Sequence, residues 1–596
     1  MIKKKINNIS KPNRAEMLLL EKLYTSNKFN ELEIETKKLI KKNPNIATLY
    51  NILGFSLHKN GQLNKAATHY EKALNIDPKF SFAHNNLGNL YKELGRFEES
   101  LSHYESSIKL NPNYAEAYYN QALLYKKFRK YNKSIESFHN ALKIKPDYFE
   151  AHFDLGQVYI TVGKFSESIE CFQKTINLKP DFISSYNNIF FTLLYMKEDK
   201  HNFFTSLAKK FVSSQKKIDK SLLAINRYEK KPKKLRIGFV SGNFYEHPVG
   251  YFLLGTIKNL KDKNLELIAY SNFSKKDNLH IKLKSYFDNW NEIGDKNDVD
   301  IINQIRKDAV NILIDLDGHS AKNKLSIFIN KAAPIQLSWG GYPGFLGIPE
   351  IDYVIGDPYV TPTREEKYFI EKVFVLPNIW ICFTPPESEI KIEELPAIKN
   401  GYITFGSFNN FSKINNEDVI FLWSKILKSI PKSKIFLKSS VFADVYFKEL
   451  IISKFKKNNI SSDSIILEGR SLRKDYLASY NKIDIILDTF PYSGGITTFE
   501  AIWMGVPVLT KKGYNRFSSH ETESINHNSD MSDWIANDAD EYFAKAIKFS
   551  SNISELSNIR KNLRKKTLKL PTFNSNLFAN GFNEALWKIW NNFSEK

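Results

Sequence analysis

Four prolines, Pro78, Pro112, Pro146 and Pro180, stand 34 residues apart, and Pro44 stands one period earlier. Taking each proline as the end of a unit brings other columns into register: Gly54, Gly88, Ala122 and Gly156; Leu57, Tyr91, Tyr125 and Tyr159; Tyr70, Tyr104, Phe138 and Phe172. A small residue lets two helices approach, aromatics fill the seam between them, and proline cannot continue the second helix. The first third of the chain is therefore expected to be an α-helical superhelix of stacked hairpins. The repeats are clearest over residues 47–182, with less regular units at 14–46 and 183–215, so the solenoid is expected to run from 14 to 215.

The repeat pattern resembles the tetratricopeptide repeat, which specifies a fold and leaves function open. Two residues before each small position stand Asn86, Asn120, Asp154 and, one repeat on, Asn188, while Ile52 breaks the column in the first repeat. An amide offers one donor and one acceptor group, matching a peptide unit whatever its side chain. The column is thus a candidate groove for extended protein or peptide acceptors. The alternative is that these residues only solvate the concave face or satisfy turn carbonyls.

The net charge of +21 raises the question of a nucleic-acid partner. Residues 1–234 hold about 40 Lys and Arg against about 23 Asp and Glu, so about +17 of that charge lies in the repeats and the segment after them. The excess is a diffuse enrichment in Lys rather than a basic stripe interleaved with stacking aromatics, so acidic protein partners are expected and nucleic acid is not. No stretch approaches the roughly eighteen apolar residues needed to cross a bilayer, and the start MIKKKINNISKPNR has no apolar run behind its lysines. With only Cys171 and Cys382, a disulfide framework and a cysteine metal site are both excluded. A cytoplasmic protein without a membrane partner is expected, and the convex face of a solenoid offers a surface for a homodimer.

After the basic linker 216–234 the periodicity changes. Apolar runs at 236–241, 265–270, 312–316, 335–339, 353–355 and 373–376 read as strands, as do those at 403–405, 434–437, 464–467, 483–488 and 506–509. Helical patterns lie between most of them, which implies parallel sheets. A Pro/Glu/Lys-rich linker near 385–399 separates two sets, so two doubly wound α/β lobes are expected, 235–385 and 400–596, facing each other across a cleft. In such sheets ligands sit beyond the carboxyl ends of the strands.

The residues that follow those strands are informative. YEHPVG at 245–250, DLDGHSAKNKL at 315–325, PIQLSWGGYPGFLGIPEIDYVIGD at 334–357, FGSFNNFSKIN at 405–415 and LDTFPYSGGITTFEAIWMGVPVLT at 487–510 resemble, in order and spacing, the bacterial O-linked N-acetylglucosamine transferase/SPINDLY family. That family joins N-terminal tetratricopeptide repeats to a GT-B transferase of two Rossmann-like lobes. The resemblance implies an inverting, metal-independent protein O-glycosyltransferase needing no cofactor. Its donor would be UDP-N-acetylglucosamine or, as in the plant SPINDLY branch, GDP-fucose, and its acceptors Ser and Thr of proteins recruited by the repeats.

In LDTFPYSGGITTFEA a strand ends at Asp488, Gly494 and Gly495 permit close backbone approach, and Thr497 and Thr498 sit where the next helix begins. Its free N–H groups and two hydroxyls suit a diphosphate. The resemblance has Glu500 accepting from the donor ribose hydroxyls. It also has Lys413 at the diphosphate, stabilising charge on the departing nucleotide, and Asn410 facing the same nucleotide. His247 matches a family histidine on the acceptor side, either as general base or as an orienting group. His319 is a second candidate for the cleft, with a backbone-bonded loop histidine as its alternative. The loop GGYPGFLGIPEIDY, with Tyr342 and Pro343, is expected to line the cleft near the acceptor.

Two departures stand out. His520 occupies the place of a family arginine and is expected to neutralise donor phosphate less well, unless the phosphate raises its pKa. Ile496 replaces a threonine of the Gly-Gly-Thr-Thr-Thr run. These departures leave open a second class of function, a repeat scaffold whose transferase lobes have lost activity.

Overall fold

The computed structural model describes residues 12–595 apart from 199, 226, 262, 274 and 387–389. The lysine-rich start read for a leader segment lies outside the described residues, as do three positions of the linker between the lobes. The chain divides after Lys179 into two compact units. No helix among the described residues is long and apolar enough to cross a membrane.

The first unit is a run of helical hairpins, for example Ala47–Lys59 with Leu63–Ile76 and Ser81–Glu93 with Phe97–Leu110. The small residue of each period lies against the aromatic sixteen positions later: a Cβ on Gly54 would stand 2.7 Å from Tyr70, and one on Gly88 2.7 Å from Tyr104. Gly156 and Phe172 repeat the relation at 2.7 Å. Tyr70, Tyr104, Phe138 and Phe172 are fully buried, so the seam predicted from the period is the core of the unit.

The second unit opens with the helices Ile183–Leu193 and His201–Ser214. The sequence placed this hairpin at the end of the solenoid; it instead belongs with the α/β unit. Its buried Phe190 and Phe211 lie against His319, with the Phe190 and His319 rings stacked at 3.9 Å. Burial of an aromatic face outweighs repeat membership. The linker 216–234 is also tied down: the Ile218 N–H donates to Asn330 at 2.9 Å, the Ala224 N–H donates to Asn303 at 2.7 Å, and Trp590 donates to the Lys230 carbonyl at 3.1 Å.

Two parallel sheets follow. The first contains β1 (Leu235–Ser241), β2 (Leu265–Ser271), β3 (Asn289–Glu292), β4 (Ile312–Asp315), β5 (Ile335–Ser338), β6 (Tyr353–Gly356) and β7 (Lys372–Val375), in the order β3-β2-β1-β4-β5-β6-β7. The second contains β8 (Thr404–Ser407), β9 (Lys434–Lys438), β10 (Ile465–Glu468), β11 (Ile485–Leu487), β12 (Val508–Lys511) and β13 (Ile535–Ala536), ordered β10-β9-β8-β11-β12-β13. Inner strands such as β4 and β5 are buried along their whole length, which is why they read as apolar runs. Edge strands β3, of sequence NWNE, and β13, of two residues, carry no such run and were not expected. The last helix, Ser575–Ser594, returns to the first lobe, where Phe582 stacks on Trp339 at 4.5 Å.

Candidate active site

The carboxyl ends of β1, β4, β8 and β11 open onto one cleft between the lobes, with about 510 Å³ of water-accessible space. From the first lobe it is lined by Asn243, Tyr245, His247, Lys322 and Pro343; from the second by Asn409, Asn410, Lys413, Tyr492, Gly495, Thr497 and Glu521. The motifs predicted to meet from opposite lobes therefore do meet.

His247 follows β1 and caps the helix Pro248–Leu260, its Nδ1 accepting from the Val249 N–H at 3.3 Å. Burial, assisted by the charge of Lys322, pushes its pKa down to about 4, so the ring is neutral near pH 7. With Nδ1 accepting, the neutral ring carries its proton on Nε2. His247 thus offers a donor, which fits an orienting group better than a general base.

Asn410 caps the short helix Phe411–Ile414, accepting from the Ser412 N–H at 3.1 Å, and so brings Lys413 to the rim. The Lys413 ammonium donates to the Ser493 carbonyl at 2.6 Å and lies 3.4 Å from the centre of the Tyr492 ring. Burial pulls its pKa down, while Glu521 and Asp488 pull it back up. A buried ammonium beside the start of the helix Ile496–Trp503 is suited to a diphosphate. Thr497, at that start, donates to Asn409 at 3.1 Å and lines the cleft.

Several predicted donor contacts instead form the floor. The Gly494 N–H donates to Asp488 at 2.8 Å, and a Cβ on Gly494 would stand 2.4 Å from the Thr498 hydroxyl. Thr498 is 2% exposed and its hydroxyl meets that of Thr522 at 2.9 Å, because its direction on the helix faces the core while that of Thr497 does not. Glu500 is buried as well, accepting from Arg473 at 2.5 Å and Tyr476 at 2.9 Å. Its two oxygens are engaged within the lobe, behind the cleft wall.

His520 does not face the cleft. Its fully buried ring lies with Nδ1 2.6 Å from Glu523 and Nε2 3.0 Å from Glu365 of the first lobe. Burial alone would lower its pKa, but these two carboxylates overcome that and raise it. The substitution expected to weaken phosphate binding is instead part of an inter-lobe ion cluster. Four residues earlier, Arg516 donates to backbone carbonyls at the end of the helix Ile183–Leu193, including that of Leu193 at 3.2 Å.

His319 is also withdrawn. It is 1% exposed, its Nε2 lies 2.9 Å from the Leu346 carbonyl, and burial pushes its pKa down to about 3. Tyr342 is buried beside it and donates to the Phe190 carbonyl at 3.1 Å, leaving Gly340, Gly341 and Pro343 as the parts of that loop that line the cleft. The carboxylates of DLDG are taken up within the first lobe: Asp317 accepts from Ser241, Gly242 and Asn243 at the end of β1 and just after it, and Asp315 from the Asp317 and Gly318 N–H groups.

The residues of the amide column bond within and between the helices that carry them. Asn86 donates to Asn51 and Asn120 to Asn85, both at 3.0 Å, so each links adjacent repeats. Asp154 accepts from Tyr119 and Lys126, each at 2.9 Å. Asn188 bonds the Ser184 carbonyl of its own helix, in the second unit.

Sequence reading missed Glu521, Lys322, Tyr492 and Asn409. Tyr492 and Asn409 lie inside motifs already singled out, and Glu521 directly follows His520. Lys322 stands in DLDGHSAKNKL next to Ser320 and Ala321, which line the cleft with it.

Residues 204–383 and 392–582 match the family described as Glycosyl transferase family 41. The chain belongs to that family. Residues 56–95, 88–127, 130–163 and 149–182 match tetratricopeptide repeats. Among the relatives of this family 41 chain is a protein of Solanum lycopersicum named a probable UDP-N-acetylglucosamine–peptide N-acetylglucosaminyltransferase SPINDLY. The two are 31% identical over 366 residues, covering 61% of this chain and 39% of the relative. The same name is carried by a Hordeum vulgare protein, 32% identical over 61% of this chain and 39% of its own length. The chain thus spans about two fifths of the length of these relatives. A solved structure of a mutant O-GlcNAc transferase of Thermobaculum terrenum is similar in fold, with a TM-score of 0.70 at 24% identity over 92% of this chain and 98% of that one.

Proposed function

We propose that this chain is an inverting, metal-independent protein O-glycosyltransferase that moves N-acetylglucosamine from UDP-N-acetylglucosamine to Ser or Thr hydroxyls. The observation that carries the reading is one cleft lined by Lys413, Gly495 and Thr497 from one lobe and His247 from the other. The diphosphate lies against the free N–H groups of the helix Ile496–Trp503, with Lys413 countering the negative charge that grows as the glycosidic bond breaks. The acceptor oxygen attacks the anomeric carbon from the opposite face, which inverts it, as the bond to the diphosphate breaks; the Nε2–H of His247 orients the reacting groups and a phosphate oxygen of the donor takes the hydroxyl proton. Lys413 and the helix end supply the cationic environment that a metal would otherwise provide.

The choice of donor rests on family membership and on the names of the relatives; GDP-fucose is the competing donor. Protein acceptors are proposed to reach the cleft by way of the tetratricopeptide repeats, and the buried, unpaired Cys171 and Cys382 suit a reducing cytoplasm. The scaffold alternative drew on His520 as a damaged phosphate contact, and His520 lies elsewhere.

The test is nucleotide release and intact-mass gain with UDP-N-acetylglucosamine, UDP-glucose and GDP-fucose in turn, with EDTA present and cell lysate as acceptor. Turnover with the first donor in EDTA is expected. A folded protein inert to all three overturns the reading.

A further inference from the structure

Among the residues lining the cleft, Glu521 is the carboxylate. It opens the helix Glu521–Asn528 and is 9% exposed. Its Oε1 would stand 3.3 Å from a Cβ on Gly495, the residue that begins the helix proposed to hold the diphosphate. An anion therefore already occupies the neighbourhood where an anionic ligand is expected. The ionisable groups facing Glu521 are Lys413 from the short helix Phe411–Ile414, Asp488 at the end of β11, and Tyr492 in the loop between. Neighbouring His520 turns away to Glu365 and Glu523.

One lysine facing Glu521, Asp488 and a doubly charged diphosphate leaves like charges crowded together, and a carboxylate can only accept hydrogen bonds, as a phosphate oxygen does. Protonating one carboxyl removes a negative charge and turns an acceptor into a donor. We propose that Glu521 takes up one proton from solvent as the nucleotide-sugar binds, and holds the diphosphate as a neutral carboxyl whose O–H donates to a phosphate oxygen. This assignment rests on the reading of the cleft as a donor site, and makes Glu521 a direct donor contact that ties affinity to pH. Burial already pushes Glu521 up to about 7, with Lys413 opposing and Asp488 reinforcing the shift, so the uptake falls near neutrality.

The test is calorimetric binding of UDP-N-acetylglucosamine and GDP-fucose at pH 6 and pH 8.5, in buffers of differing ionisation enthalpy, to the full chain and its Glu521→Gln and Glu521→Asp variants. Affinity of the unmodified protein is expected to fall about tenfold or more between the two pH values, as one group titrating over more than a pH unit requires. Glu521→Gln should match it at pH 6 and bind about tenfold tighter at pH 8.5, and Glu521→Asp should keep the pH dependence. Lys413 can also gain a proton at high pH, and loss of the Glu521 charge in the Gln variant shifts that titration to lower pH; this works against binding at pH 8.5, so tighter binding of the Gln variant there reports Glu521. A side chain that only supports the fold would change affinity by the same factor at both pH values, which overturns the proposal. So does a Gln variant no tighter than the parent at pH 8.5. If neither nucleotide-sugar binds the parent at pH 6, the donor-site reading itself fails and this assignment with it.

Discussion

His520 Nε2 lies 3.0 Å from Glu365 Oε2, and the pair joins the two lobes through a ring with no solvent exposure. Glu523 holds the other nitrogen at 2.6 Å, so the imidazole is favoured in its charged form. A raised folded-state pKa means that the stabilisation is fully present below the ordinary value of about 6.5 and is lost as pH rises through the raised value. His520→Gln should therefore lower thermal stability most at pH 6, by about 3–5 kcal/mol as for a broken buried pair. The gap should shrink on the alkaline side. Melting curves across pH check this, and a gap that widens with pH refutes it.

Lys413→Met should reduce turnover about 10²–10³-fold, the range for removing one group that stabilises transition-state charge. The fold should hold, since the ammonium's hydrogen bond is a single one to the Ser493 carbonyl and methionine keeps the apolar stem against the Tyr492 ring. Nucleotide release with the melting temperature measured alongside separates the two effects. Undiminished release would remove Lys413 from the site.

A His247 pKa near 4 predicts that this residue gives kcat/KM no acid limb above about pH 5. His247→Asn keeps a good helix cap and should leave stability within a few tenths of a kcal/mol. It should raise KM for the acceptor more than it lowers kcat. An acid limb centred between pH 6 and 7 that disappears in this variant would restore the general-base role.

Gly341 and Gly581 should respond oppositely to alanine. A Cβ at Gly341 would stand 1.6 Å from the Leu316 carbonyl oxygen, which neither strand end can vacate, so Gly341→Ala should cost about 3 kcal/mol. At Gly581, inside the helix Ser575–Ser594, the nearest atom is 3.8 Å away, and alanine should add about 0.5–1 kcal/mol. Melting temperatures of the two variants decide the matter.

Much of the architecture was legible because periodicity reports burial directly. The 34-residue proline register named the seam of Gly54 on Tyr70 and Gly88 on Tyr104, and apolar runs found the inner strands. The polar edge strand β3 left no such trace, nor did the two-residue β13. The hairpin Ile183–Leu193 and His201–Ser214 fitted the repeat register yet joined the other unit, since a period does not say what an aromatic face will bury against.

At the site, the motifs located the cleft, and His247, Asn410, Lys413, Gly495, Thr497 and Pro343 do line it. Within the same motifs Thr498, Glu500, His319 and Tyr342 turn inward, because neighbouring positions on a helix or loop point in different directions. His520 looked like a weakened phosphate contact until Glu365, 155 residues away, proved to be its partner. The order of elements and the identity of the motifs were therefore set by local spacing, which the chain carries in its sequence. Which side chain of each motif meets the ligand, and which carboxylate shares the cleft with Lys413, was decided only by tertiary packing, since burial and ion pairing depend on residues far apart in the chain.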